Sequence, residues 1–83
     1  MYTTYILKSQ KNKKHYIGHT EDLEERLRRH NAGFVKSTKN GIPWEVIYTE
    51  NYPTKSLAYK RELEIKSYKG GIKFKKLLGL WKD

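Results

Sequence analysis

The chain has 83 residues, enough for one small domain and too few for two separate cores. Its 18 Lys and Arg against 9 Asp and Glu give a formal charge of +9, which favours a polyanionic partner, nucleic acid ahead of an acidic membrane. The lack of cysteine excludes disulfides and thiolate metal sites and accords with a reducing cytoplasm, so any metal would sit on oxygen or imidazole.

No apolar run approaches the length of a membrane span, and Met1-Tyr2-Thr3-Thr4 lacks the basic-then-apolar layout of a signal peptide. The expectation is a soluble, cytoplasmic protein, with association to the nucleoid left open, whose residues 1–83 form one domain acting as a monomer or weak homodimer.

Tyr2 to Lys8 is β-branched and aromatic, which suits a pleated strand. Ser9 to Lys14 is polar and reads as a hairpin loop into a second strand, His15 to Thr20, paired antiparallel with the first. Alternation puts Tyr16, Gly18 and Thr20 on one face and His15, Ile17 and His19 on the other. A helix then starts between Thr20 and Asp22, with Glu21, Glu24 and Glu25 near its positive end, and closes at Ala32-Gly33. Glu24 with Arg28 and Glu25 with Arg29 are expected as i, i+4 pairs.

Within that helix Leu23, Arg26, Leu27 and His30 recur at i, i+3, i+4 and i+7, so the arginine and the histidine border the face whose leucines point inward. Phe34 to Ile42 is read as a mobile basic loop near the ligand, carrying Lys36 and Lys39. Trp44 to Glu50 is a third strand. A second helix, capped near Thr54, carries Leu57, Ala58, Tyr59, Leu63 and Ile65.

Glu62 lies four residues after Ala58 and three before Ile65, which puts a carboxylate within the stripe facing the protein. Burying a charge without a partner is expensive, so Glu62 needs a cation, a metal or a wet cleft. After Gly70-Gly71, Phe74, Leu77, Leu78 and Trp81 mark a short terminal helix that docks through Phe74 and Trp81. Lys66, Lys69, Lys73, Lys75 and Lys76 make this end the most basic surface. The expected class is α+β: a small, mainly antiparallel three-stranded sheet flanked by helices, in the order β-β-α-β-α-α.

With Thr4-Tyr5-Ile6-Leu7, Tyr16-Ile17-Gly18-His19-Thr20, Arg26-Leu27 with His30-Asn31, Pro43 to Tyr48 and Lys60 to Lys66 in this order, the chain resembles the GIY-YIG endonuclease superfamily. The resemblance is to its small single-domain members, similar to the amino-terminal nuclease domain of the bacterial nucleotide-excision-repair incision subunit. It implies phosphodiester hydrolysis with one divalent ion, Mg²⁺ or Mn²⁺.

By that resemblance Glu62 corresponds to the metal-binding carboxylate, Tyr16 to the general base, Tyr5 to its orienting companion, and Arg26 to the arginine that steadies the phosphate. His30 falls where the family carries a histidine or tyrosine that contacts the phosphate. Thr3 stands where the first motif has a glycine, and His19 where repair-type members carry a lysine. Gly18 and His19 are auxiliary candidates, His19 either assisting catalysis or bonding the backbone.

Each candidate also has a plain structural reading. Tyr16 can pack on the first helix, Arg26 can pair with Asp22, His30 can be an ordinary cation at a helix end, and Glu62 can pair with Lys66 one turn on. The lysines Lys36, Lys39, Lys66, Lys69, Lys73, Lys75 and Lys76 suit backbone contacts of low sequence specificity. The function expected is a divalent-metal-dependent DNA endonuclease, structure-directed or repair-related. The rivals are a catalytically silent nucleic-acid-binding module and an RNA-directed protein.

Overall fold

The structure, a computed structural model, describes residues 1–80. Its centre is strand β1 (Tyr2–Ser9), whose Thr4, Tyr5, Ile6 and Leu7 are all fully buried. Four consecutive buried positions require cover on both faces of a strand, and helices supply it here. Strand β2 (His15–Thr20) lies on one side and β3 (Trp44–Tyr52) on the other, giving the order β2-β1-β3 with both pairings antiparallel. The fold is therefore the α+β arrangement expected, and β1 is the central strand. The third strand runs two residues beyond the expected Glu50.

Helix α1 (Leu23–Asn31) covers the face that carries Tyr5 and Leu7, where Leu23, Leu27, Tyr16 and Trp44 complete the packing. Helices α2 (Lys55–Ser67) and α3 (Ile72–Leu77) cover the opposite face, where Ile6, Ile65 and Phe74 pack with Ile17 and Tyr48. Fully burying a side chain such as Ile6 or Ile65 contributes about 2 kcal/mol. β3 serves both layers because its register shifts opposite Ile6 and Leu7, which pair with Tyr48 and Val46. Ile47 is the extra residue of this bulge, so Val46 and Tyr48 turn to opposite faces.

Asp22 caps α1, its side chain accepting from the Glu25 amide at 3.1 Å, and Thr54 caps α2 by accepting from Leu57 at 3.2 Å. Such caps stabilise a helix by about 1 kcal/mol each. Gly33, at φ +82, takes the left-handed conformation that ends α1. The Glu24–Arg28 and Glu25–Arg29 pairs expected on α1 do not form among the described residues, and neither does the alternative Asp22–Arg26 pair. Asp22 is committed to its cap, and Arg28 instead grips Glu25 one turn back, at 2.7 and 2.9 Å.

The expected mobile loop is a short 3-10 helix, Lys36–Gly41, with Thr38 and Gly41 buried. Thr38 holds it in place by bonding His30 and by accepting the Trp44 indole N–H at its carbonyl, 2.8 Å away. Phe74 docks α3 as expected, while Trp81 lies outside the described residues.

On α2 the buried positions are Ala58, Glu62 and Ile65, whereas Leu57, Tyr59 and Leu63 are exposed. The far side of this helix is held to β3 by Arg61, which donates to both Glu50 carboxylate oxygens at 2.9 and 3.1 Å, with the Tyr48 and Tyr52 hydroxyls donating to the same carboxylate. Burial pushes the Glu50 carboxyl up, but these hydrogen bonds outweigh it and bring it down to about 2. No described helix is long and apolar enough to cross a membrane.

Candidate active site

β2 alternates as its sequence requires, and this divides the candidates between two faces. Tyr16 and Gly18 join Tyr5 on the α1 side, while His15, Ile17 and His19 face α3 and α2. Gly18 pairs directly with Tyr5, and a Cβ at Gly18 would lie 2.6 Å from the Tyr5 hydroxyl oxygen and 3.2 Å from a Tyr16 ring carbon. The missing side chain lets the two tyrosine rings approach to a centroid distance of 6.4 Å.

His30 closes this group from α1. Its ring lies 4.9 Å from Tyr16, edge-on, and its Nε2 is 3.2 Å from the Tyr5 hydroxyl. Its Nδ1 is 2.7 Å from Thr38 Oγ1, which itself donates to the Val35 carbonyl. Thr38 must therefore accept from His30, which fixes the proton on Nδ1 and leaves Nε2 to accept from the Tyr5 hydroxyl. Burial, followed by the nearby Arg26 charge, lowers the His30 pKa. His30 is a fully buried, neutral relay between Tyr5 and Thr38. The ring has no exposed surface in this arrangement.

Tyr5 is held well above the usual phenol range, first by burial and next by its neighbour Tyr16; Arg26 pulls the other way and the negative charge of Glu62 adds to the rise. Tyr5 stays a neutral phenol whose proton goes to His30. The Tyr16 hydroxyl has no hydrogen-bond partner among the described residues, and Arg26 has no ion pair there.

On the α2 side, Glu62 is only 9% exposed at its side chain. His19 Nδ1 donates to its Oε1 at 2.7 Å and Lys66 Nζ to its Oε2 at 2.7 Å. The demand for a partner that its place in the stripe created is met by these two cations or donors, one of them the lysine one turn on. A cleft of about 610 Å³ lies at the end of β2, lined by His19 and Thr20, by Arg26 and Arg29 of α1, and by Lys55 of α2.

The lysines expected to contact a nucleic-acid backbone do not line this cleft. Lys36 and Lys39 are exposed on the 3-10 helix, and Lys66 is bound to Glu62. Lys69, Lys75 and Lys76 are exposed around α3, where Lys73 lies over the Tyr68 ring at 5.8 Å. Phe74 places α3 against His15, five strand residues or about 17 Å from the cleft at Thr20. Sequence reasoning did not foresee Thr38 as the anchor of His30, or Lys55 and Tyr59 beside the cleft. A threonine in a basic loop carries no signal for the first.

A small antiparallel sheet with helices on both faces, and paired tyrosines of its first two strands set against an arginine and histidine of the next helix, define a class of small α+β domain. The sequence matches the family model described as the GIY-YIG catalytic domain over residues 1–75, and the chain belongs to that family.

A UPF0213 protein of Staphylococcus saprophyticus is 42% identical over 72 residues, which cover 86% of this chain and 87% of that protein. UPF0213 proteins of Haloquadratum walsbyi and Staphylococcus epidermidis are 46% and 48% identical over 54 residues, 64% of this chain. Those matches span 61% and 66% of the relatives' own lengths. The solution NMR structure of a UPF0213 protein from Bacillus halodurans superposes with a TM-score of 0.60 at 29% identity, covering 96% of this chain and 85% of that one.

Proposed function

We propose that this chain hydrolyses phosphodiester bonds in DNA, one strand per encounter, with low sequence preference and a bias towards structured or damaged forms. The observation that carries the reading is the grouping of Tyr16 and Arg26 against a Tyr5 phenol kept neutral by burial and tied to His30. In this reading Tyr16 takes a proton from the attacking water. Arg26 meets the charge that grows on the non-bridging phosphoryl oxygens. Tyr5, which is fully buried, orients Tyr16 through their ring contact, and His30 acts as a positioning residue through Tyr5. The bond to the bridging ester oxygen breaks, and that oxygen takes a proton from solvent.

The divalent ion expected is Mg²⁺ or Mn²⁺, and the residues fit it as a single-carboxylate site. Among the described residues no group of three His, Cys, Asp or Glu is suited to hold a metal. One hard carboxylate, Glu62, suits an ion that keeps several waters and leans on substrate phosphate. Glu62 would hold it by releasing Lys66, whose side chain is 49% exposed. Bound there, the ion would supply Lewis-acid stabilisation of the phosphoryl and leaving oxygens.

A second reading, a silent nucleic-acid-binding module, draws on the same pair of contacts: both Glu62 oxygens are engaged, by His19 and Lys66. Cleavage of end-labelled single-stranded, duplex and branched DNA, with matched RNA, in Mg²⁺ and in EDTA decides between them. Metal-dependent nicking lost in both Tyr16→Phe and Glu62→Ala, with binding retained, is the expected result. Binding without turnover on every substrate leaves the module, and faster cutting of RNA moves the substrate class.

A further inference from the structure

Tyr59 is half exposed, at 48%, on a helix that buries the residues before and after it at Ala58 and Glu62. Its ring does not join either apolar cluster. It lies instead beside His19, with ring centroids 5.3 Å apart and planes inclined by 54°. His19 is itself held by its Nδ1 contact with Glu62, so the position of Tyr59 is coupled to the candidate site through two defined contacts. The Tyr59 hydroxyl has no hydrogen-bond partner among the described residues, and Lys55, one turn earlier on the same helix, has no acidic partner there.

His19, Lys55, Ser56 and Tyr59 line a groove of about 600 Å³. His19 and Lys55 also line the cleft that holds Arg26 and Arg29, so groove and cleft are continuous. A half-open aromatic ring, a hydroxyl and an unpaired ammonium side by side match one chemistry, a planar heterocycle attached to an anion. Glu21, Asp22 and Glu25 also line the cleft and repel a polyanion, while Arg26, Arg29 and Lys55 attract it.

We propose that Tyr59 and Lys55 form a nucleotide subsite next to Glu62, in which an unpaired base stacks on the Tyr59 ring while its backbone phosphate meets Lys55. The ligand is a single-stranded polynucleotide. A base within a duplex offers no free face, so stacking on Tyr59 selects single strands, flaps and frayed ends over intact helix. The inference rests on the nucleic-acid reading above, and it names the substrate class that the cleft takes.

The test is fluorescence anisotropy in EDTA, where nothing is cut, with labelled oligothymidylate, an abasic strand of the same length, a duplex, and matched oligouridylate. Wild type is expected to bind the base-bearing strand roughly tenfold more tightly than the abasic one. Tyr59→Leu loses that ratio and Tyr59→Phe keeps it, both with unchanged circular dichroism. Lys55→Gln weakens all strands alike and lowers the salt slope by about one. A ratio near one in wild type, or an undiminished ratio in Tyr59→Leu, overturns the subsite. Absence of binding to every strand overturns it together with the nucleic-acid reading, whereas intact discrimination by a protein that cuts nothing overturns the nuclease reading alone. Comparison of oligothymidylate with oligouridylate assigns the sugar.

Discussion

Asn31 grips the backbone of Trp44 from both sides, donating from Nδ2 to its carbonyl at 3.0 Å and accepting its amide at Oδ1 at 2.7 Å. This ties the last residue of α1 to the first of β3 and brackets the 3-10 helix whose Thr38 holds His30. Asn31→Ala strands two backbone groups at once and is expected to destabilise the fold by about 2 kcal/mol. Asn31→Asp keeps only the acceptor and should fall between the two. Urea unfolding curves of the three proteins measure this, and indistinguishable midpoints would show that the clasp does nothing for stability.

Gly18→Ala tests the closest approach in the site. The added methyl group would overlap the Tyr5 hydroxyl and ring carbon, at 2.6 and 2.8 Å, and Tyr5 has no exposed surface into which to retreat. Over-packing of this kind costs about 1–3 kcal/mol and displaces what it meets. The variant should melt several degrees lower and, because Tyr5 and Tyr16 move with it, lose more turnover than stability. Thermal unfolding and cleavage rates measured together check the claim, which fails if the methyl group is accommodated without change in either.

Much of this was legible in the sequence because it follows from period alone. The alternation of β2 separates Tyr16 and Gly18 from His19, and the α2 stripe places Glu62 inward between Ala58 and Ile65. What was not legible depends on contacts between distant segments. Thr38 reaches His30 only after the chain turns through the 3-10 helix, and the His19–Glu62 contact spans 43 residues. Of the apolar residues that the second helix carries, Leu57, Tyr59 and Leu63 are exposed, because α2 buries only the stripe of Ala58, Glu62 and Ile65. The basic loop was misread for a related reason: its lysines are solvent-facing, as expected, but one buried threonine fixes its backbone.

The buried histidine gives stability a definite pH dependence. The His30 pKa lies below its ordinary 6.5, through burial first and Arg26 second. Between that folded value and 6.5 the unfolded chain binds a proton that the folded chain does not, so stability rises with pH across the window. The contribution is fully present above 6.5 and is lost as pH falls through the folded value. His15, lowered by burial and then by Lys8, acts in the same direction, so the comparison belongs in a His15→Gln background. There, His30→Gln should flatten the slope of unfolding free energy just below pH 6.5. The Glu50 carboxyl, at about 2 against an ordinary 4.5, acts separately: its contribution is lost as pH falls below 4.5. A slope unchanged by His30→Gln would mean that His30 is already protonated in the folded chain.

In the proposed site Lys66 and a divalent ion would compete for the Glu62 carboxylate. The ammonium sits 2.7 Å from Glu62 Oε2, and only the lysine partner is substantially exposed. Because Glu62 is buried, removing the ammonium leaves Oε2 without its donor, with only the His19 contact at Oε1 kept, so the melting temperature should fall. The lysine also acts on a cation, because a positive charge at that distance opposes binding by about 1–4 kcal/mol, depending on how much water remains. Lys66→Met is therefore expected to bind Mn²⁺ on the order of tenfold more tightly than wild type without nucleic acid present. Paramagnetic relaxation of water protons reads that affinity directly, and Glu62→Gln should abolish it in either background. Equal Mn²⁺ affinity in wild type and Lys66→Met would mean that the ion binds away from Glu62 Oε2, which would remove Glu62 as its anchor.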